Sequence, residues 1–391
     1  MESQRSNSTE GISDWAIMII GAGPAGISTW LHLQKYAPHL ASRTLVIEKA
    51  VFPRDKLCAG AVGGWSAHVL EHLEVELDIP SLFVSDLEFR FGKQIEHLHE
   101  PNCFRVVQRM DFDYALTTTA VKRGLAIHED ETLIDIIRER NRLIVKTSKH
   151  NYRVQTIIGA DGVFSAVRRM MMPHQNPRLA PTLQVSTAVD SQYDTEFYEK
   201  KIVLNFTPIN EDLQGYVWRV PCLKDGVPSI AHGVVDFRIC LDQPRADMKG
   251  ILGRELKSRN IQPKPDRWSS HPIHWFSNDD IISQPNVILV GDAAGIEPAL
   301  GGGIHISLSY GQIAAWAVTA AFRKNDFSFH DYKKRMQSHI VGETIHKCTR
   351  LAQEVYGGKM NPVHAVRELF TTRDAPPDPL SFIFPKVSSY P

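Results

Sequence analysis

A glycine pattern near the N-terminus has the spacing with which proteins bind the pyrophosphate of a dinucleotide. Gly21, Gly23 and Gly26 form a GxGxxG sequence, and Glu48 follows 22 residues after the last of these glycines. The first glycine permits a tight turn, the second lets backbone amides approach a pyrophosphate, and the third allows a helix to pack on a strand. A carboxylate at the sequence spacing of Glu48 accepts hydrogen bonds from ribose hydroxyls. The pattern therefore predicts a nucleotide site.

Apolar runs on either side of the glycines predict the elements that would position them. Residues 15–20 form a continuous apolar run, which is typical of a strand buried on both faces of a parallel sheet. Pro24 can occupy the first turn of a helix that continues to about Tyr36, and residues 44–47 predict the next strand, which ends at Glu48. We therefore expect a βαβ unit. A purely structural turn is the alternative, but the four features together favour a nucleotide site.

Two further turns, each with an aspartate and each after an apolar run, distinguish FAD from NAD. They are residues 159–162, with Asp161, and residues 291–295, with Asp292; glycines 301–303 then lead into a predicted helix. Either aspartate alone would be an ordinary turn residue. Their ordered joint occurrence resembles the DG and GD motifs of flavoprotein oxidoreductases of the p-hydroxybenzoate hydroxylase-like class. The resemblance implies that Asp292 bonds the flavin ribitol and that the helix points its positive end at the flavin ring.

A segment shortly after Glu48 carries a more specific resemblance. Residues 52–60 read FPRDKLCAG and resemble the PRxKxCGG segment of the geranylgeranyl reductase family. Residues 216–221 read YVWRVP and are similar to the YxWxFP substrate-cavity motif of that family. The resemblance covers most of residues 15–322, and Gly295 agrees with it because aromatic hydroxylases of the class usually carry histidine there.

The chain departs from the family pattern at three places. Ala59 stands where the family more often has glycine, and Val220 replaces the usual phenylalanine. The segment from Gly295 to Pro298 is one residue shorter than the commonest spacing. These departures bear on the identity of the substrate more than on the cofactor.

The resemblance also implies which residues bind FAD. Arg109, just before a predicted helix at residues 111–123, is expected to contact the flavin nucleotide, and the backbone near Leu133 is expected to touch adenine. The predicted cofactor-binding residues are Gly21, Gly23, Ala25, Gly26, Glu48, Lys49, Cys58, Ala59, Arg109, Leu133, Asp161, Asp292, Gly302, Gly303 and Ile304.

Two aromatic residues and one cysteine are the candidates for substrate contact and catalysis. Tyr216 and Trp218 differ by two positions, so on a strand both rings lie on one face, either as a wall for a substrate or as a pair in a sheet core. Reduction of a double bond by reduced flavin also requires a proton donor. Cys58 is the donor consistent with the family, although a lone cysteine is more often a small buried hydrophobic residue. His305, on an apolar helix face, is more often a core histidine and receives no role.

Strand and helix patterns predict an α/β chain in which one domain interrupts another. Mixed helix and strand patterns give way to β-rich stretches between about residues 181 and 275, and a buried-strand run at 286–290 returns to the first domain. We expect a Rossmann-type FAD-binding domain, an inserted antiparallel β-sheet substrate domain and C-terminal helices. The expected bounds are 1–80, 104–180 and 278–325 for the FAD-binding domain, 81–103 and 181–277 for the substrate domain, and 326–391 for a helical region with a proline-rich tail from Pro376.

Composition restricts the partners and the compartment. Lys plus Arg and Asp plus Glu both number 44 among 391 residues, so the net charge gives no argument for binding nucleic acid or an anionic membrane. The five cysteines are widely spaced without a CxxC pair, so we expect no metal site and no disulfide framework. Neither a signal peptide nor a membrane-spanning run is predicted. We expect a cytoplasmic protein with a small apolar substrate; contact with a membrane surface and the oligomeric state stay open.

Three classes of function are compatible with these motifs. The leading interpretation is an FAD-dependent reductase of the geranylgeranyl reductase type that acts on double bonds of an isoprenoid or similarly apolar substrate. The second is a flavin monooxygenase (hydroxylase or epoxidase) or halogenase; halogenation is disfavoured because the WxWxIP and lysine motifs of halogenases have no good counterpart. The third is a redox-neutral cyclase or prenyl carrier. The sequence has no second GxGxxG with an acidic partner, so NAD(P)H would bind transiently, or reduced ferredoxin would be the electron donor.

Overall fold

The computed structural model describes residues 12–63, 65–190, 192–262 and 264–370. The helices are α1 (Pro24–Tyr36), α2 (Pro38–Ala41), α3 (Ser66–His72), α4 (Arg109–Lys122), α5 (Ala166–Met171), α6 (Thr195–Tyr198), α7 (Met248–Ser258), α8 (Gly303–Lys324), α9 (Tyr332–Gln337), α10 (Ile340–Tyr356) and α11 (Pro362–Phe370). Short 3-10 helices lie at Thr207–Glu211, Pro265–Arg267 and Gly291–Ala293. The strands are β1 (Ile12–Ile20), β2 (Thr44–Ile47), β3 (Ala61–Gly63), β4 (Ser81–Phe91), β5 (Gln94–Val107), β6 (Ala126–His128), β7 (Leu133–Glu139), β8 (Arg142–Thr147), β9 (Asn151–Gly159), β10 (Arg178–Ala180), β11 (Thr182–Ala188), β12 (Lys201–Asn205), β13 (Gly215–Lys224), β14 (Val227–Asp236), β15 (Ile273–Trp275), β16 (Ser283–Gln284) and β17 (Val287–Leu289).

The first sheet carries the glycine motif and has a parallel centre. Its strand order is β16-β17-β9-β1-β2-β6, and β8 of the β7–β8 hairpin also pairs with β9. β1 is parallel to both β2 and β9. Ile17, Met18 and Ile19 are fully buried, because a central strand of a covered parallel sheet requires apolar side chains on both faces. The predicted βαβ unit is confirmed as β1, α1 and β2.

The second sheet has seven strands in the order β11-β14-β13-β12-β4-β5-β3. All neighbours are antiparallel except β12 and β4, which are parallel. This confirms the β-rich insertion, and β4 joins it by pairing with β12 and β5. The strands extend past the predicted bounds, since β3 lies before residue 81 and β5 continues to Val107. Pro101 and several charged residues interrupt the alternation of apolar and polar residues that would indicate β5 in the sequence. The register of β5 is set by its hairpin partner β4.

Helices α9 to α11 follow α8 and lie in the helical region that was expected from residue 326. Val366 of α11 belongs to the core of the second sheet, and the Phe370 ring lies 5.4 Å from the Phe89 ring. The C-terminal helices therefore close one side of that sheet. The predicted tail from Pro376 lies outside the described residues. None of the helices in the described parts of the chain has both the length and the apolar character needed to cross a bilayer.

Candidate functional site

A cavity of about 980 Å³ is lined by residues of both sheets. Every predicted site residue except Gly26 lies on its wall. The predicted residues that line it are Gly21, Gly23, Ala25, Glu48, Lys49, Cys58, Ala59, Arg109, Leu133, Asp161, Tyr216, Trp218, Asp292, Gly302, Gly303 and Ile304. The fold thus brings the predicted motifs, from Gly21 to Ile304, together around one cavity.

The glycine turn between β1 and α1 has the geometry that its motif predicts. Gly21 has φ +105°, and a Cβ there would lie 2.4 Å from the Ala160 carbonyl oxygen. A Cβ on Gly26 would lie 2.0 Å from the Gly21 carbonyl oxygen, so Gly26 packs α1 onto the turn and does not reach the cavity. Gly23 is different, because the nearest atom to a Cβ there is Arg54 Nη2 at 3.8 Å.

The first turn of α1 therefore faces open space. No side chain caps this helix end, and the residue in the N-cap position is Gly23. Uncapped backbone amides at a helix N-terminus form a binding site for a phosphate group. A side chain at Gly23 would fill the space that a pyrophosphate needs, so the turn fits the dinucleotide part of FAD.

Glu48 lies at the end of β2 with a buried side chain. Its Oε2 accepts the N–H of Ala22 at 2.9 Å, and its Oε1 accepts the N–H of Ala50 at 3.1 Å. Arg54 Nε lies 3.8 Å from Oε1. These bonds fix the carboxylate at the cavity wall, where the motif places a ribose.

Two arginines and one aspartate place positive charge beside this turn. Arg109 donates two hydrogen bonds of 2.8 Å to the carboxylate of Asp113, and Arg54 Nη2 lies 3.2 Å from Asp113 Oδ2. Burial opposes the charge of Arg109, but the adjacent Asp113 carboxylate outweighs burial and raises the pKa of Arg109 above its ordinary value. The two guanidinium groups meet at the Asp113 carboxylate, and Arg54 also lies beside Glu48. Guanidinium N–H groups beside the open helix end suit an anionic pyrophosphate.

The two predicted aspartates have different surroundings. Asp161 Oδ2 accepts the N–H groups of Ala166 at 2.6 Å and Val167 at 3.1 Å, at the start of α5. Its Oδ1 is buried and has no hydrogen-bond partner in the structure. Burial raises the pKa of Asp161, although these hydrogen bonds oppose the effect. Asp292 follows β17, and its Oδ1 lies 3.6 Å from the position of a Cβ on Gly303.

The glycine run before α8 is held by a glutamate that the sequence did not indicate. Glu297 is buried, and its carboxylate accepts the N–H groups of Ala299 at 2.6 Å, Leu300 at 2.9 Å and Gly302 at 2.5 Å. These bonds fix the loop so that the N-terminus of the 22-residue helix α8 faces the cavity. A long helix presents partial positive charge at this end, which suits the flavin ring region.

Cys58 is exposed on the cavity wall, which Lys56 and His271 also line. Its Sγ accepts the N–H of Gly60 at 3.3 Å. Lys56 Nζ donates to His271 Nε2 at 2.9 Å. Burial lowers the pKa of Lys56, and burial together with the Lys56 charge lowers the pKa of His271 to about 4. His271 is therefore neutral near pH 7.

The second sheet supplies an aromatic and aliphatic wall. The Tyr216 and Trp218 rings lie 6.2 Å apart at 65°, and the Tyr216 hydroxyl donates to the Leu300 carbonyl. Trp218 packs over Gly233 of β14, where a Cβ would lie 2.0 Å from the indole ring. Tyr216 also packs 5.2 Å from Phe206, so it serves the sheet core as well as the cavity. Further apolar residues on the wall are Leu87, Phe89, Phe104, Ile202, Leu204, Val220, Val235, Ile273, Ile296, Leu369 and Phe370.

Lys56, His271 and His305 are among the other cavity residues that were not assigned a role from the sequence. Lys56 stands inside the PRxKxC segment, so the motif itself carried a signal for it. His271 carried none, because it lies 215 residues from its partner Lys56. His305, interpreted as a core histidine, does line the cavity; its ring meets Trp65 edge-on at 4.8 Å, and burial lowers its pKa to about 4.

The site combines the dinucleotide turn, the arginines Arg54 and Arg109, the N-terminus of α8 and an apolar wall. These features define an FAD-dependent oxidoreductase that is geranylgeranyl reductase-like. The chain belongs to the FAD binding domain family, whose model matches residues 14–340.

Named relatives share most of the chain length. The digeranylgeranylglycerophospholipid reductase of Methanocaldococcus jannaschii is 26% identical over 337 residues, which are 82% of this chain and 81% of the relative. The structure of a geranylgeranyl bacteriochlorophyll reductase-like protein from Thermoplasma acidophilum superposes with a TM-score of 0.72 and 19% identity, over 96% of this chain and 98% of the other. p-Nitrophenol 4-monooxygenase from Pseudomonas putida superposes with a TM-score of 0.66 and 17% identity, over 92% and 93%. The two structures show that the fold is shared.

Proposed function

We propose that this oxidoreductase reduces carbon–carbon double bonds of an isoprenoid or similarly apolar substrate, with hydride from reduced FAD. The observation that carries the proposal is the division of one cavity into a polar end and an apolar end. The polar end fits a dinucleotide, and the apolar end is formed by the face of the second sheet that bears Tyr216 and Trp218. An apolar end favours a hydrocarbon chain, because burying a charged group there without a partner would be costly.

The named relatives support the same direction. The Methanocaldococcus jannaschii relative is named a digeranylgeranylglycerophospholipid reductase, which favours a reductase and a prenylated lipid-like substrate. Ala59 and Val220, which depart from the family motifs, lie on the cavity wall. We therefore propose the class of substrate and not a particular compound.

We assign the following roles in the proposed reduction. Reduced FAD, when bound, supplies the hydride. Cys58 is the proposed proton donor to the second alkene carbon, since it is an exposed thiol on the cavity wall. Lys56 holds a proton 2.9 Å from neutral His271 and can restore the proton of the thiol. Tyr216 and Trp218 orient the chain and exclude water.

A flavin monooxygenase is the second candidate. The fold shared with p-nitrophenol 4-monooxygenase favours it, because that fold supports oxygen chemistry. A redox-neutral cyclase or prenyl carrier is the third class. All three classes would use the same cavity. They differ in whether reductant and oxygen are consumed, and in which atoms the product gains.

The test is to incubate the purified enzyme with a polyprenyl substrate and a reductant, with and without oxygen. NAD(P)H and reduced ferredoxin are compared as electron donors. A product that gains two hydrogen atoms per reduced double bond, without oxygen and with matching consumption of reductant, is expected. A product that gains an oxygen atom only when oxygen is present would make the enzyme a monooxygenase. Product formed without consumption of reductant would make it a cyclase, and no chemical change of a bound prenyl compound would make it a carrier.

The five cysteines are free thiols. Free thiols support a reducing compartment, and with it the proposed cytoplasmic location. An apolar substrate of low solubility would be collected at a membrane surface, which is the proposed reason for peripheral membrane contact.

A further inference from the structure

Two histidines and a glutamate form a cluster beside the nucleotide end of the cavity. His128 ends β6, Glu131 lies in the loop before β7, and His150 lies in the turn between β8 and β9. One ligand atom from each residue lies within 4.8 Å of the other two. We propose that His128, Glu131 and His150 bind a divalent transition-metal ion of the zinc type. This site is separate from the proposed redox reaction and does not rest on it.

Both histidines face the Glu131 carboxylate with their Nδ1 atoms. His128 Nδ1 lies 3.1 Å from Glu131 Oε2, and His150 Nδ1 lies 3.2 Å from Glu131 Oε1. The Tyr152 hydroxyl donates to Glu131 Oε1 at 2.9 Å, and the Thr147 hydroxyl donates to the same oxygen. Two imidazole nitrogens and a carboxylate oxygen are a set of ligands that zinc uses in proteins. Hydroxyls that bond a ligating carboxylate hold it in place for the ion.

Charge and exposure favour an ion at this place. The Glu131 side chain is fully buried, while the side chains of His128 and His150 are 44% and 54% exposed. Within the described parts of the chain, the ionisable nitrogens that pair with Glu131 belong to these two histidines; nearby Lys149 pairs with Asp130 instead.

The Glu131 side chain is shielded from solvent, whereas both imidazoles are about half exposed. An ion bound between the imidazoles and this carboxylate would contact all three ligand atoms. The exposed side would leave room for water as a further ligand.

The sequence expectation of no metal site rested on cysteine spacing. The histidines of the cluster are 22 residues apart and form no spacing motif. They meet because β6 and the β8–β9 turn end on the same side of Glu131. The cluster also adjoins the cofactor site, since the Glu131 N–H donates to the Glu48 carbonyl at 2.9 Å and both Glu131 and Leu133 line the cavity. A bound ion would hold the loop that leads into Leu133, the first residue of β7.

The experiment uses the untagged, FAD-containing protein after treatment with a chelator. Zn²⁺ is titrated by calorimetry near pH 7.5 into the wild type, His128→Gln, His150→Gln and the control His174→Gln, which changes an exposed histidine elsewhere. We expect one saturable site in the wild type and in the control. Each ligand variant should bind at least about tenfold more weakly. Because both ligand histidines are about half exposed, the variants should melt like the wild type when the chelator is present.

Two outcomes would overturn the proposal. One is the absence of saturable Zn²⁺ binding in the wild type. The other is equal binding in the wild type and in both ligand variants. Crystals soaked in Zn²⁺ give a measurement that needs no variant, because an anomalous peak should lie about 2.0–2.2 Å from the two Nδ1 atoms and a Glu131 oxygen. A peak elsewhere, or none, would contradict the assignment.

Discussion

The two ends of the cavity are built by different means. The nucleotide end is made by backbone geometry, with Gly21 in a positive-φ turn and Gly23 at an uncapped helix end. The substrate end is made by side chains, such as Trp218 and Phe370, that come from distant parts of the chain. A backbone cradle requires particular residues at fixed spacing, whereas an apolar surface can be made by many combinations. The first end should therefore tolerate few substitutions, and the second end should be the adaptable one.

The largest expected effect is at the backbone cradle. Gly23→Val should fold but lose FAD affinity by at least about two orders of magnitude, roughly 2.8 kcal/mol, because the new side chain occupies the pyrophosphate space. The flavin absorbance per protein after gel filtration measures the effect. Gly253→Val in α7 is the matched control, since a Cβ at that glycine has its nearest neighbour at 3.9 Å, much as at Gly23. Normal FAD content in Gly23→Val would refute the site assignment.

The next effect concerns the proton donor, where the two ends meet. Cys58→Ser should keep its flavin colour and lower turnover by about 10²-fold, since a general acid contributes on this scale. Single-turnover oxidation of the reduced enzyme by substrate measures the change. Cys103→Ser, at a partly buried thiol of β5, should turn over like the wild type. Unchanged turnover in Cys58→Ser would remove this thiol from the mechanism and leave Lys56 as the candidate.

A smaller effect is expected at the apolar wall. Trp218→Ala should retain FAD and raise the KM for a polyprenyl substrate by about tenfold, because a large apolar contact is lost. Trp218→Phe keeps an aromatic ring there and should lose only a few-fold. Steady-state kinetics measures the effect on substrate binding, and the flavin content, measured in parallel, shows whether the nucleotide end is affected. Loss of FAD from Trp218→Ala would contradict the division of the cavity.

The last prediction concerns the loss of stability in acid, which one buried histidine packed against each sheet should cause. Burial lowers the pKa of His32 in α1 and of His232 in β14 to about 3, so both are neutral in the folded protein. The unfolded chain binds these protons below its ordinary histidine pKa of about 6.5. Stability is therefore fully present above pH 6.5 and falls as the pH decreases towards 3, by up to about 1.4 kcal/mol per pH unit for each histidine.

Urea unfolding at several pH values between 7 and 5 measures this dependence. His232→Gln keeps an acceptor for the Thr187 hydroxyl, which now bonds His232 Nε2 at 3.0 Å, and it cannot take up a proton. Its free energy of unfolding should fall less steeply with acid than that of the wild type. Equal slopes would show that His232 is not a buried neutral group.

The same contrast explains how much the sequence revealed. The glycine turn, Glu48 and the glycine run before α8 were predicted because each depends on local backbone geometry, which has a fixed spacing. Tyr216 and Trp218 were predicted as a pair two positions apart on one strand. Phe370 was not, because it reaches the wall only after α11 folds back onto the second sheet.

Contacts between distant segments account for the rest. Lys56 and His271 meet across 215 residues, and no periodicity relates them. Glu297 bonds the backbone of its own loop, but a buried acid in a turn has no distinctive pattern in the sequence. Helices α3 and α7 were not predicted, since α3 is only 7 residues long and α7 carries Gly250 and Gly253 inside an apolar pattern.

The most direct test of the central claim follows the spectrum of the enzyme-bound flavin. The protein is reduced without oxygen, and a polyprenyl compound is then added under the same conditions. If FAD at the polar end and a prenyl chain at the apolar end share one cavity, the flavin should reoxidise in proportion to the double bonds reduced. If the flavin stays reduced until oxygen is admitted, and the substrate is unchanged or oxygenated, the reductase account is contradicted.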